Sequence, residues 1–381
     1  MNGIQGSNTG NGSAMPVNAF TLETFFISAL YVAIAVISVF GNILVILAVY
    51  TNRRLQTTSN YLLVALAVPD FFQGAVSLPL RLVEVLKAEW DHQPFCLASI
   101  HVSTLFGGAS NLHILLIAIE RFISIYWPYF YCSWITTKCA LLGVGVTWLS
   151  MFIFSLLPVM GWGARKPGNS VTFCRFPAFL TQDYISFLFV FVHVIPIITV
   201  TFLNIFILRA SLDHVKRIRV QAAASIYNSR TEGISEYDSK AVEELRKRKT
   251  EAARQRKATR IVAAVVGSFI LLVVPIVIID IIEMLSGAVV PVPVVKTAVL
   301  MIYSNHCVNV FVYAGFNSDY RRTFKKIVLK GINFVRGRGT NEIQCTNSLE
   351  QTSGKIKHAM LAGYDESFTL KTCMREALNF Q

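Results

Sequence analysis

The sequence predicts an all-α membrane protein: a seven-transmembrane helix bundle with a short amphipathic helix after the seventh span. Three observations lead there. Charged residues make up only 15% of the chain, against roughly a quarter in an ordinary soluble domain. Mean hydropathy is +0.52. Seven separate stretches reach the ~20 apolar residues that crossing a bilayer requires. None alternates as a barrel strand would, and hydrocarbon tolerates only helices or closed barrels because it solvates no stray backbone group.

The spans run Phe25–Tyr50, Tyr61–Leu86, Ala98–Tyr126, Cys139–Trp162, Tyr184–Leu208, Ile261–Leu285 and Val292–Phe316. Residues 1–24 form a polar leading tail, residues 25–330 the seven-transmembrane domain, and residues 331–381 a mostly disordered polar tail. The first 20 residues have neither a basic nor an apolar region of a signal peptide, so the first span is expected to serve as its own insertion signal. Arg53 and Arg54 follow the first span, a dense basic segment with Arg246-Lys247-Arg248-Lys249 lies between the fifth and sixth, and Arg321, Arg322, Lys325 and Lys326 follow the seventh. By the positive-inside rule these loops are cytoplasmic and the N-terminus is extracellular, as in a multi-pass plasma-membrane protein. The loop with Arg165, Lys166 and Arg175 runs against this and is outvoted. Asn11-Gly12-Ser13 is then a glycosylation sequon on the outer face.

The second half of Ala222–Arg260 reads as a charged helix continuing the sixth span inward. Phe316–Lys326 is amphipathic and suited to lie on membrane lipid at the inner leaflet. Of the seven cysteines, only Cys96 and Cys174 fall on the oxidising side. Two thiols have one pairing, so a Cys96–Cys174 disulfide is expected.

Polar residues inside the spans carry the functional information. Asp70 interrupts an apolar run, where a charge costs roughly 2.5–3.5 kcal/mol on insertion scales and marks a site by default. Gly41-Asn42, Ser110, Glu120-Arg121-Phe122, Trp148, Pro196, Phe269, Pro275, Asn305 and Asn309-Val310-Phe311-Val312-Tyr313 follow in order along the other spans. This set resembles the rhodopsin-like (class A) G-protein-coupled receptors over about residues 25–330.

The resemblance implies a receptor that binds an extracellular small molecule or short peptide and activates a heterotrimeric G protein, with no enzymatic activity of its own. It implies a polar cluster of Asp70, Ser110, Asn305 and Asn309 able to hold a sodium ion, no other cofactor being expected. Glu120, Arg121, Phe122 and Tyr313 would form the coupling switch. Departures fall on the activation machinery. The proline of the seventh-span motif is Val310, the sixth-span tryptophan is Val273, the fifth-span tyrosine is Asn204, and the acidic partner for Arg121 is Gln255. A weak lock on Arg121, and so ligand-free activity, is the expectation.

The ligand pocket is expected among Ser103, Gly107, Phe176, Asp280, Glu283 and Tyr303. Ser103 replaces the aspartate that anchors biogenic amines, and Tyr303 replaces the retinal lysine of opsins. Pro158–Trp162 and Cys174-Arg175-Phe176 are similar to adenosine-type receptors, although Asp280, Pro177 and Tyr303 depart from their purine contacts. A transporter or channel is the rival class, but the two halves show no internal repeat. His113 and His193 sit on apolar faces without a nucleophile–base pair or metal triad, which argues against an enzyme. The basic run Arg246–Lys257 beneath a membrane suits anionic lipid and a G protein rather than nucleic acid.

Overall fold

The computed structural model describes residues 22–86, 93–164, 179–210, 212–213, 236–287 and 290–335. Seven of its helices are long and apolar enough to cross a membrane: Leu22–Thr51, Thr58–Leu86, Pro94–Tyr126, Thr137–Leu156, Gln182–Ala210, Ala263–Ser286 and Val292–Phe316. The protein is a multi-pass membrane bundle.

Local chemistry sets several ends. Thr57 accepts from the Asn60 amide at 3.3 Å and opens the second span, and Thr136 does the same for Cys139 at 3.3 Å before the fourth. The fourth span stops at Leu156, short of the expected Trp162. Pro158 cannot continue the helix, and Gly161 and Gly163 adopt φ of 103° and 89°, which only glycine enters without strain. The sixth span extends back to Glu236 as one helix, as its charge pattern predicts. After the seventh span a further helix, Ser318–Val335, runs beyond residue 330, the boundary read from composition. Its Tyr320 and Phe324 are buried against the bundle, while Val328, Leu329 and Ile332 further along are exposed apolar residues suited to lipid.

The bundle is closed by small residues at crossings. A Cβ on Gly74 would sit 2.6 Å from the Ser38 Cβ and 3.1 Å from the Ala35 carbonyl, so spans one and two approach backbone to backbone. A Cβ on Gly41 would lie 2.8 Å from Val310 Cγ2, bringing span one onto span seven. Just beyond Asp70, Gln73–Ser77 forms a turn of π-helix, which re-aims the outer part of the second span. Leu62, Leu66, Ile114, Val200, Phe269 and Val273 make the central apolar core. Val273, standing where the family places tryptophan, is fully buried. Leu141, Leu142, Val146 and Leu149 point outward from span four, as lipid-facing residues do.

Candidate functional site: a buried carboxylate, an arginine switch and an outer polar cluster

Asp70 is fully buried in the middle of the bundle and accepts hydrogen bonds from three side chains. Ser110 Oγ donates to Oδ1 at 2.6 Å and Asn309 Nδ2 donates to Oδ2 at 3.1 Å. The third donor was not foreseen: His306 Nδ1 lies 2.7 Å from Oδ1. Three donors on one carboxylate satisfy most of its acceptor capacity, which makes burial of the group affordable. Asn305 was expected in this set, but it is not among the hydrogen-bond donors, and its Nδ2 finds no partner among the described residues. Around the helix Asn309 lies between the two, about 40° from Asn305 and about 60° from His306 at 3.6 residues per turn, and Asp70 is met on the His306 side of it. Spacing alone therefore does not separate Asn305 from His306 in the sequence. The His306 carbonyl is tied in turn to span one, where Asn42 Nδ2 donates to it at 3.1 Å and to the Ser38 carbonyl at 2.8 Å.

At one end of span three, Glu120 Oε2 pairs with Arg121 Nε at 3.0 Å, both side chains nearly buried. Glu120 Oε1 accepts from Ser59 Oγ on span two and from Tyr131 Oη in the following loop helix, Pro128–Trp134, each at 2.7 Å. Burial and the adjacent carboxylate push the Tyr131 phenol well above its ordinary value, so it stays a donor. Neither Ser59 nor Tyr131 was predicted as a site residue. Both reach Glu120 from other elements, and nothing local in the sequence announces such a contact. Phe122 stacks on Tyr126 with ring centroids 4.7 Å apart. Tyr313 is buried against Tyr320, centroids 5.6 Å apart, and its hydroxyl has no partner among the described residues. The side chain of Gln255 lies outside the described residues.

At the opposite end Ser103 Oγ and Tyr303 Oη lie 3.3 Å apart, joining spans three and seven. Tyr303 meets the edge of Tyr31, and Arg81 is ion-paired with Glu84 beside them. Arg81 and Glu84 were not anticipated. Gly107 faces Gln73 with room for a Cβ at 3.7 Å. Asp280 is half-buried, and the charge of Glu283 acts on it. Glu283 Oε1 accepts from the Val290 amide at 3.3 Å, so it serves the outer turn after span six. Cys96 is disulfide-bonded. Cys174, Phe176 and Asn11 lie outside the described residues.

Seven membrane-length helices around a buried carboxylate, with a glutamate–arginine pair closing one end, define a heptahelical membrane receptor rather than an enzyme or a repeat-built transporter. A profile of the 7 transmembrane receptor (rhodopsin family) matches residues 41–313. The chain belongs to that family. It is 26% identical to the histamine H2 receptor of Cavia porcellus over 81% of this chain and 80% of the relative. It is 30% identical to the adenosine receptor A2b of Canis lupus familiaris over 79% of this chain and 88% of the relative. Trace amine-associated receptor 7d of Mus musculus is 27% identical, over 77% of this chain and 79% of the relative. Amine and adenosine receptors therefore stand at similar distance.

Proposed function

We propose that the chain is a plasma-membrane receptor that binds an extracellular small molecule or short peptide and activates a heterotrimeric G protein. The observation that carries this reading is the Glu120–Arg121 pair, buried and held by Ser59 and Tyr131 at the basic end of the bundle. Such a pair stores an arginine that can be released toward a partner when the cleft opens. Ligand binding at the other end would shift the balance between closed and open bundles by its difference in affinity for the two. The N-terminus, with Asn11, faces outside in this reading.

An amine ligand of the usual kind is disfavoured, because Ser103 and Tyr303 present two hydroxyls where an ammonium needs a carboxylate. Adenosine is the second reading. Named adenosine relatives and the sequence around Phe176 favour it, and the carboxylate of Asp280 opposes it, since it accepts from an exocyclic amine but cannot donate.

Cyclic AMP and calcium should be measured in cells expressing the chain and Arg121→Ala at equal surface level, first without ligand and then with adenosine. A basal signal lost in Arg121→Ala supports the receptor reading, and a further adenosine response supports the purine. A signal above that of untransfected cells that is equal in the two proteins would overturn the assigned role of Arg121.

A further inference from the structure

The resemblance leads to the expectation of a sodium ion beside Asp70, and the donor set around that carboxylate does not fit one. A hard monovalent cation wants a shell of oxygen lone pairs, as hard cations generally do. The groups turned toward Asp70 donate hydrogen bonds to it, and of the three contacting atoms only Ser110 Oγ is itself an oxygen, the other two being nitrogens. Oδ1 already accepts from Ser110 Oγ at 2.6 Å and from His306 Nδ1 at 2.7 Å, and Oδ2 accepts from the amide nitrogen of Asn309 at 3.1 Å. To reach Oδ1 a cation would have to displace the imidazole, and imidazole nitrogen is a poor ligand for so hard an ion. The Asn309 Oδ1 atom is buried without a partner among the described residues, but one orphaned carbonyl oxygen does not supply a coordination shell.

His306 is moreover fixed in place. It is almost fully buried, Asn42 of span one holds its carbonyl at 3.1 Å, and Asn309 on the same face of span seven holds the other carboxylate oxygen. Swinging the imidazole aside would break its bond to Asp70, a tie between spans two and seven, inside a fully buried setting. An asparagine at that position could present its Oδ1 at the reach of the ring nitrogen, and a serine would leave a hydroxyl oxygen and the space of the ring.

We propose that His306 is the built-in partner of Asp70, seated where a sodium ion would otherwise bind, so that this bundle takes no sodium at that carboxylate. The consequence is a receptor whose stability is indifferent to sodium, with the tie between spans two and seven supplied by its own side chain.

The test is a thermal melt of the purified full chain in detergent, in NaCl and in choline chloride at about 150 mM each, so that screening is equal. The wild-type protein should melt at the same temperature in both. His306→Ser should melt ~2–4 °C higher in NaCl than in choline chloride, the size expected when an ion binds only the folded state. That rise should vanish when Asp70→Asn is added. His306→Asn, which keeps a similar polar bulk, provides the second variant should His306→Ser fail to fold.

A sodium-specific rise in the wild-type protein that Asp70→Asn abolishes would overturn the proposal. So would folded His306→Ser and His306→Asn proteins that both remain indifferent to sodium. The inference rests on the receptor reading only for the expectation of an ion. The melt needs neither agonist nor G protein, so a silent signalling assay would leave its outcome untouched.

Discussion

Tyr131→Phe removes one hydroxyl and leaves the ring that packs beneath span three. In the structure Glu120 Oε1 accepts from Tyr131 and Ser59, each at 2.7 Å, while Oε2 faces Arg121 at 3.0 Å. A hydrogen bond to a charged group contributes about 1.5–3 kcal/mol. Because Ser59 still serves Oε1 after the change, the lower figure applies, and ~1.4 kcal/mol is a factor of ten in an equilibrium constant. The bond holds the closed arrangement, where Glu120 is buried and must be satisfied inside the bundle. An opened cleft would admit water to the carboxylate, so the loss falls mainly on the closed state. The active fraction, and the ligand-free signal with it, should rise about tenfold while that fraction is small. Ser59→Ala should act in the same direction, and the double variant more strongly than either. The assay is ligand-free cyclic AMP or calcium at matched surface expression. Signals from Tyr131→Phe and Ser59→Ala equal to wild type would show that Glu120 keeps these bonds on activation, and the reasoning would fail.

Gly74→Ala should lower the melting temperature of the purified protein. Its Cβ would meet the Ser38 Cβ at 2.6 Å and the Ala35 carbonyl at 3.1 Å, and overpacking of this kind costs about 1–3 kcal/mol. A melt unchanged from wild type would mean that spans one and two are less tightly joined than described. Peptide mapping without reduction should recover Cys96 linked to Cys174, and Cys96→Ser should lose about 2–5 kcal/mol of stability; a Cys96 peptide joined elsewhere would refute the pairing. Asn11→Gln should abolish a glycosidase-sensitive mobility shift of the expressed chain, and a wild-type protein with no such shift would remove that support for an outside N-terminus.

How much was legible in the sequence depended on whether the signal was local. Span boundaries were, because twenty apolar residues need no partner to be noticed, and six of the seven spans fall within a few residues of their predicted ends. The fourth ran long because Val159, Met160 and Trp162 are apolar in composition while Pro158 and Gly161 end the helix by backbone geometry. Asp70, Ser110 and Asn309 could be read because a polar residue in an apolar run is conspicuous. His306 is just as conspicuous a polar residue, but the family resemblance points to its neighbour Asn305. Ser59 and Tyr131 were illegible for a different reason. Each is an ordinary residue at a span end, and its role exists only once the fold brings span two and the loop helix to Glu120.

The structure changes how the departures from the family pattern should be weighed. Read along the chain, Val310 and Gln255 suggest a receptor with its restraints removed. In three dimensions restraint is present but has different carriers. Val310 leaves the seventh span an unbroken helix from Val292 to Phe316, and its side chain packs on Gly41, a contact with no room for a Cβ on span one. The same stretch of span seven carries His306 against Asp70 and Asn309 against the other carboxylate oxygen, with Asn42 tying the His306 carbonyl to span one. Spans one, two and seven are therefore joined by four side chains within a single turn of helix. At the far end of span three Glu120 is held by two hydroxyls from outside that span. The expectation of ligand-free activity rested on the ionic partner absent at Gln255. The hydroxyls on Glu120 and the ties on Asp70 act in the opposite sense, so basal signalling should be low in the wild-type protein and should appear when these contacts, rather than Gln255, are altered.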